Sequence, residues 1–266
     1  MFSSYWAEYF VYSMANIAIP AGVGTVFNVL QPGFRLDTDS DFKLKKLAYF
    51  ATSGNIRIKF RDDMLGRYFP KSDTGLPSIA GNFIGTPYIL REPYRFAAGT
   101  SIIVEVADAS GFANLLRLTL HGCKMRAGMA PWEASPGKMK RYRDIVFTVY
   151  NSVPSITTIA AGGAISVSIP MDNDAPFLVK DLTGINYGPV GSILVDVKNA
   201  ATDMSYDNWS SAPIPFECLF GNGQFPNILY DYKYVGKNNV ITINCQNTAM
   251  VPVNIEMNFN GIKLFE

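Results

Sequence analysis

The sequence predicts an all-β protein made of two tandem antiparallel β-sandwich domains, each of them jelly-roll-like. Three observations support this fold class. Apolar and polar residues alternate through many short segments rich in Val, Ile, Phe and Tyr, as they do in half-buried strands. Turn residues separate these segments at intervals of roughly ten to twenty residues. Similar segments then recur in the same order in the two halves of the 266-residue chain.

The chain opens with an aromatic segment, WAEYFVYSM at residues 6–14. We predict a first strand here, because FVY at 10–12 resembles FTVY at 147–150, where the second half begins. Alternatively, residues 1–9 form an arm on a neighbouring subunit, which would bury aromatic side chains that are a liability when exposed. Glu8 interrupts the apolar run and no basic residue precedes it, so the segment does not predict a signal peptide.

The first half continues with alternating segments separated by turns. They are AGVGTVFNVL (21–30), DFKLKKL (41–47), NIRIKF (55–60), GNFIGTPYIL (81–90), TSIIVEV (100–106) and LLRLTLHGCKM (115–125). Most prolines lie between these segments, where they do not remove hydrogen bonds from a sheet. Together the segments predict a first sandwich domain at residues 1–125.

Each of these segments has a counterpart in the second half. The counterparts are AGGAISVSIP (161–170), PFLVKDL (176–182), SILVDV (192–197), GNGQFPNIL (221–229), NNVITI (238–243) and NIEMNFNGIKLF (254–265). The offsets are about 135 to 140 residues, and both series end in an alternating strand followed by Gly-x-Lys, at 122–124 and 261–263. We predict a tandem duplication, with a second sandwich domain at 145–266 and a basic linker containing prolines and glycines at 126–144.

Charge is scarce and unevenly distributed. Only 17% of residues are charged, while 13% are aromatic, a composition that suits a subunit packed against neighbours. Residues 1–143 hold 18 Lys and Arg against 11 Asp and Glu, a net +7, and residues 144–266 hold 5 against 11, a net −6. One half could therefore attract the opposite half of another copy, or the halves could attract two different partners. A chance distribution is the third interpretation. We expect a homo-oligomer, a trimer or larger.

The linker and the N-terminal segment supply the candidate interface residues. These are Trp6, Tyr9, Phe10, Arg126, Trp132, Lys138, Lys140, Arg141 and Arg143. Basic residues interleaved with aromatic ones could contact the acidic half of a neighbouring subunit, or simply be solvated. They could also bind phosphates and stack on bases, but nucleic acid is the least favoured partner of the three.

Few residues could carry chemistry. His121 is the sole histidine, and Cys123 lies two residues beyond it, but the second copy has Asn260 and Ile262 in these places. We therefore expect no catalytic, cofactor-binding or metal-binding residues. Alternating aspartates at 37, 39 and 41 and at 172 and 174 favour a hydrogen-bonded turn over a structural cation site.

Cysteine usage and hydropathy indicate the compartment. The three cysteines, Cys123, Cys218 and Cys245, form no CxxC pair, and their odd number is typical of synthesis in a reducing compartment. No apolar run reaches the roughly 18 residues that a membrane helix needs, so we expect no membrane contact.

The first half resembles structural proteins of tailed bacteriophages. The resemblance is carried by DSDFKLKKLAYFAT (39–52), by RDDMLGRYF (61–69) after NIRIKF, and by the segment 85–125. Within that last segment, Pro-x-x-Leu at 87–90, PYRFAAGT at 93–100 and Gly-x-Lys at 122–124 match a pattern of β-sandwich virion components. The second half is linked to the pattern only through the duplication, because YDYKYVGKNN (230–239) replaces the Ala-Gly-Thr turn.

The resemblance implies a non-enzymatic virion protein, made in the host cytoplasm, that assembles with itself and with other virion proteins. It would decorate or stabilise the capsid, or form part of the neck or tail. An alternative is a double jelly-roll major capsid protein. An alternative of another class is a carbohydrate- or receptor-binding appendage that uses Trp209 or Tyr206, and a β-sandwich hydrolase is the least favoured.

Overall fold

The computed structural model describes residues 5–22, 27–30, 33–52, 55–82, 88–128, 134–135, 138–139, 144–152, 156–199, 208–221 and 226–265. Nearly all of the described secondary structure is β-strand, which confirms the predicted all-β sandwich class. The described helices are two single turns, α1 (Leu76–Ile79) and α2 (Phe216–Leu219).

The chain packs as two compact units. The N-terminal unit is Phe10–Arg126, and the C-terminal unit is Met1–Tyr9 together with Ala127–Glu266. The first nine residues therefore group with the second half of the chain, although the sequence placed them in a domain at 1–125. The long first strand, β1 (Tyr5–Ile19), has residues in both units.

Two sheets form the N-terminal unit. Its further strands are β2 (Asn28–Val29), β3 (Phe34–Arg35), β4 (Asp41–Ala51), β5 (Ile56–Asp62), β6 (Arg67–Gly75), β7 (Gly81–Asn82), β8 (Tyr88–Phe96), β9 (Ser101–Asp108) and β10 (Asn114–Ala127). One sheet has the order β1-β10-β4, with β7 and β8 both pairing with β4. The other has β2 and β3 beside β9, followed by β5 and β6.

The C-terminal unit repeats this plan. Its strands are β11 (Ala134–Ser135), β12 (Lys138–Met139), β13 (Asp144–Asn151), β14 (Thr157–Ile159), β15 (Ala164–Pro170), β16 (Phe177–Asn186), β17 (Ile193–Asn199), β18 (Ile214–Pro215), β19 (Asn227–Val235), β20 (Val240–Asn247) and β21 (Val253–Phe265). One sheet has the order β13-β21-β16-β19, with β14 also on β21, and the other has the order β15-β20-β17-β18. Strands β11 and β12 pair only with each other among the described strands.

Alternation in the sequence places the core between the sheets. In the N-terminal unit, every second residue of β5 and β9 is buried, and these side chains join one apolar cluster with residues of β4 and β10. In the C-terminal unit, β20 and β21 alternate in the same way. The period of two in the sequence is therefore the inward and outward alternation of a strand.

In both units, a glycine lies where the last strand comes very close to the strand paired with it. Gly122 on β10 lies against β4, where a Cβ would overlap the carbonyl oxygen of Lys43 and come within 2.7 Å of the Phe42 ring. Gly261 on β21 lies against β16, where a Cβ would overlap the carbonyl oxygen of Leu178. The glycine of each Gly-x-Lys motif is therefore required by close approach of two backbones. The shared strand order and shared glycine support the duplication, which stays a prediction.

Candidate functional site

A cluster of tyrosine, aspartate and lysine closes one end of the N-terminal unit. Tyr12 Oη donates a hydrogen bond to Asp37 Oδ2 at 3.2 Å and accepts one from the Asp37 backbone N–H at 3.0 Å. The Lys124 ammonium pairs with the same carboxylate and lies 3.7 Å above the centre of the Phe10 ring. The cluster thus ties the first and last strands to the loop that precedes β4.

The C-terminal unit has the same cluster. Tyr150 Oη donates to Asp172 Oδ2 at 2.8 Å, and Lys263 pairs with Asp172 and, at 3.0 Å, with Asp174. The Lys263 hydrogen bond holds the pKa of the Asp172 carboxyl below its usual range. Burial opposes the charge on Lys263, but its hydrogen bonds to Asp172 and Asp174 outweigh burial and raise its pKa.

The alternating aspartates of the N-terminal unit form ion pairs with basic side chains of the same unit. Arg126 binds Asp39 at 2.6 Å, and Arg95 Nε donates to Asp41 at 2.9 Å. The pKa of Asp41 is lowered chiefly by the Arg95 hydrogen bond. In the part of the chain that the structure describes, no three His, Cys, Asp or Glu side chains are grouped as metal ligands. The aspartate loops are therefore joined to neighbouring strands by ion pairs. In each unit, the lysine of the Gly-x-Lys motif forms one of these pairs.

A buried ion pair fixes the N-terminal segment within the C-terminal unit. The Glu8 carboxylate pairs with the Lys233 ammonium, and both side chains are almost fully buried. Next to them, Asn227 Nδ2 lies 3.4 Å from Tyr9 Oη, and burial raises the pKa of Tyr9. Residues 5–9 thus belong to a strand that packs within its own chain; an additional contact of this segment with a neighbouring subunit stays a prediction.

The candidate interface residues fall into two groups. Tyr9, Phe10 and Arg126 are buried within the chain, and Trp6 is half-buried. Trp132, Lys140, Arg141 and Arg143 lie outside the described residues, and of Lys138 only the backbone, in β12, is described. Their contact with other subunits stays a prediction.

His121 has the surroundings of a core histidine. Its ring is fully buried on β10, with Nε2 3.0 Å from Thr119 Oγ1. Burial, and then the nearby charge of Lys46, lowers its pKa to about 3. Cys123 is also buried, with its sulfur 4.0 Å from that of Met125.

Trp209 does not fit the sugar-binding role considered for it. Its side chain is 0% exposed and packs edge-to-face on Phe259, with ring centroids 5.6 Å apart. A platform for a sugar must be open to solvent, so the hypothesis is wrong for Trp209. Tyr206 lies outside the described residues. No periodic signal surrounds Trp209 in its long loop, so the sequence does not reveal its burial.

A shallow groove crosses the solvent face of the β15-β20-β17-β18 sheet. It has a volume of about 410 Å³, and Ser166, Asn244 and Asp196 form a row across its floor on three adjacent strands. Asp196 is also paired with Lys198 at 3.1 Å. The described lining contains no aromatic side chain.

One end of the C-terminal unit displays apolar side chains on loops that are bonded to each other. The Thr248 N–H donates to the Ser192 carbonyl at 2.7 Å, and the Gly162 N–H donates to the Ala249 carbonyl at 2.9 Å. The Asn247 side chain donates to three carbonyls of these loops. Three large apolar side chains project to solvent from this frame, and we call them the apolar end: Val190, Met250 and Val251. Tyr187, in the same loop as Val190, is exposed as well, and its hydroxyl donates to Glu256 at 2.7 Å. Met250 is 91% exposed, the highest value among the large hydrophobic residues described.

Comparison with known proteins gives two distant structural similarities. Neither a scan against protein-family models nor a search of curated proteins gave a match. A chain in the atomic structure of Sulfolobus turreted icosahedral virus is 9% identical with a TM-score of 0.29, and the match covers 96% of this chain and 60% of the viral chain. The tandem CBM22-1–CBM22-2 domain of Paenibacillus barcinonensis Xyn10C is 9% identical with a TM-score of 0.19, covering 98% and 93%. Both neighbours are β-rich, and at these scores neither carries a functional argument.

A search of the described helices for a membrane span found none that is long and apolar enough.

Proposed function

We propose that the protein is a non-enzymatic virion structural protein that assembles with itself and with other virion proteins. The observation that carries the proposal is the display of large apolar side chains on well-anchored elements of both units. Phe112 of the N-terminal unit is 76% exposed, and Phe147 of the C-terminal unit is 66% exposed. Aromatic side chains are enriched in the contact surfaces of assembled proteins, so exposed aromatic residues on ordered elements are available for association.

Strand β13 shows how such a surface is built. Phe147 and Val149 alternate with half-buried neighbours, so both project from the solvent face of the sheet, and Ile262 lies opposite Phe147 on the paired strand β21. Among the described strands, β13 pairs only with β21, so no described strand lies at its other edge. Exposed apolar residues on an edge strand lead to association unless a partner covers them.

The polar clusters support a structural role as well. Both Tyr–Asp–Lys clusters join distant parts of one unit, and the Glu8–Lys233 pair does the same. Their charged groups are engaged with each other. Ion pairs and hydrogen bonds between distant parts of a unit make that unit rigid. A rigid unit presents its contact surfaces in fixed positions.

Two measurements test this function. Light scattering on the full chain over a range of concentrations is expected to show a closed oligomer of three or more copies. Immunogold electron microscopy with an antibody against the chain is expected to label intact virions, with pre-immune serum as the control. A chain that stays monomeric and labels no particle would contradict the proposal. Labelling at every capsid position would favour the alternative of a major capsid protein over a decoration, neck or tail component.

A carbohydrate-binding appendage is the second candidate, favoured by the groove alone. Hydroxyl, amide and carboxylate groups in one row, as on Ser166, Asn244 and Asp196, can bind the hydroxyls of a sugar. A glycan array is the test. Saturable binding that Asn244→Ala abolishes and Ser168→Ala, just outside the groove, leaves intact would support this candidate. Glycan binding that Asn244→Ala leaves unaffected would contradict the carbohydrate-binding candidate.

A further inference from the structure

One sheet face is covered in the N-terminal unit and open in the C-terminal unit. On β1 and β10, every second side chain joins the core cluster, and the side chains between them, such as Val11, Thr119 and His121, point to the opposite face. They are nevertheless buried within the chain. The corresponding face of the C-terminal unit lies on β13, β21 and β16. We call it the outer face, and it displays Phe147, Val149, Asp181, Glu256, Asn260 and Ile262.

The strand pairings fix which positions correspond. In both units, the register between the last strand and the strand beside it shifts by one residue directly before the glycine of the Gly-x-Lys motif. His121 therefore lies opposite Lys46, and Asn260 lies opposite Asp181 at the corresponding place. On the first strands, the tyrosine bonded to the aspartate loop provides the reference position. The correspondence is therefore set by the structure as well as by the sequence motif.

Exposure differs between corresponding positions. Val11 and Val149 each precede the tyrosine of their cluster, but Val11 is 0% exposed and Val149 is 47% exposed. His121 is 1% exposed, whereas Asn260 is half-buried. Phe147, which is 66% exposed, lies two residues before Val149 on the same face. The chain therefore covers one of these two faces by itself and leaves the other open.

The two faces also carry opposite charges. Asp181 and Glu256 of the outer face lie where the covered face has Lys46 and Arg117. Each acid accepts a hydrogen bond from a neutral side chain, and neither forms an ion pair with another described residue. Lys180, which lies over a tyrosine ring, is next to Asp181 on β16. Two acids against one lysine favour a basic protein partner over nucleic acid or an anionic membrane.

We propose that the N-terminal unit of another copy of this chain covers the outer face. The proposal rests on the proposed assembly function, and it names the surface and its partner. Residues 10–126 hold 14 Lys and Arg against 9 Asp and Glu, a net +5, so this unit matches the acidic outer face. The corresponding face is already covered by the chain itself, which indicates that this protein has a surface that fits such a face. Because the contact joins two different surfaces, it repeats from copy to copy and closes into a ring.

Lysine substitutions on the outer face test the contact. Phe147→Lys and Val149→Lys should each raise the dissociation constant of self-association by about tenfold or more, because each removes an apolar contact and adds a positive charge opposite a basic unit. Sedimentation equilibrium and light scattering report the constant. Both side chains are exposed, so both variants should keep the parent thermal midpoint. Ser168→Lys, which adds the same charge to the other sheet of this unit, is the matched control and should associate like the parent.

A capture experiment tests whether two different surfaces meet. Immobilised Phe147→Lys protein should bind the parent, because its N-terminal unit is unchanged and the parent supplies an intact outer face. It should not bind further Phe147→Lys protein. A variant that captures neither protein would show that outer faces meet each other, which overturns the proposal.

The remaining outcomes separate the contact from the proposed function. If the parent forms oligomers that neither outer-face variant weakens, or that Ser168→Lys weakens equally, the outer face is not the contact, although the proposed function stands. A monomeric parent that immunogold labelling finds on virions would also overturn the contact and leave the function, with another virion protein as the partner. A monomeric parent that is not found on virions contradicts both.

Discussion

Lys263 reaches back along 91 residues of sequence to pair with Asp172, and Lys124 pairs with Asp37 in the same way in the other unit. The Lys263–Asp172 pair joins β21 to the loop before β16, and the Lys124–Asp37 pair joins β10 to the loop before β4. The Gly-x-Lys motif therefore serves two purposes in each unit. Its glycine allows the last strand to approach the strand beside it closely, and its lysine forms the ion pair that holds the aspartate loop in place.

Removing the Lys263–Asp172 ion pair of the C-terminal unit should lower stability modestly. We expect Lys263→Met to reduce the free energy of unfolding by about 1 kcal/mol, near the upper end for an ion pair with an exposed partner, because the Asp172 side chain is 56% exposed. Urea denaturation measures the loss. Lys237→Met, at an exposed turn, is the control and should have no measurable effect.

The two glycines should tolerate no side chain. Gly122→Ala and Gly261→Ala each place a methyl group against a backbone carbonyl and an aromatic ring, so we expect each to lose about 3 kcal/mol of stability. Thermal and urea unfolding give the values. Ser168→Ala, on the exposed face of β15, is the control. An alanine variant with parent stability would show that the strands do not approach so closely.

Histidine 121 should make the protein sensitive to mild acid. Its pKa is about 3 in the folded chain and about 6.5 when unfolded, so the unfolded state binds more protons between these values. The neutral imidazole's contribution to stability is thus fully present above pH 6.5 and is lost as pH falls toward 3, by at most about 1.4 kcal/mol per pH unit.

The substitution His121→Asn isolates this effect, because Asn260 occupies the corresponding position of the second unit in the aligned motifs. We expect the variant to show a flatter dependence of unfolding free energy on pH between 7 and 5. Below pH 4, Asp41 and Asp172, whose folded pKa values are lowered by Arg95 and Lys263, should cause further loss in parent and variant alike. Equal slopes for both proteins between pH 7 and 5 would be inconsistent with a buried neutral imidazole.

The Glu8–Lys233 pair should show strong coupling. Either Glu8→Met or Lys233→Met leaves one charge buried, which costs about 3 kcal/mol or more when a buried pair is broken. The double variant should recover much of that loss, since two apolar side chains can replace a buried pair. A double-mutant cycle in urea measures the coupling. Additive losses would mean that the two side chains do not interact.

The strands could be predicted from sequence because their signal is local. The segments at 41–47, 55–60 and 100–106 alternate with period two, and they form β4, β5 and β9. The closing lysines were visible as a motif, but their partners were not, since Lys263 and Asp172 are brought together only by the order of strands in the sheet. The Glu8–Lys233 pair spans 225 residues and leaves no local signal.

Burial in the loops was harder to predict than the strands. A tryptophan in a long polar loop is compatible with a binding platform, and only tertiary packing on Phe259 places Trp209 in the core. The apolar end left no local signal in the sequence, because its side chains lie on loops that are far apart along the chain. Those loops are brought together by hydrogen bonds from the Thr248 N–H to the Ser192 carbonyl and from the Gly162 N–H to the Ala249 carbonyl.

The mass of the full chain in solution, measured by light scattering as concentration rises, tests the central claim of self-assembly most directly. The account predicts a discrete species of three or more copies that persists on dilution. A chain that remains a monomer across the whole range, and that immunogold labelling does not locate on virions, would contradict it.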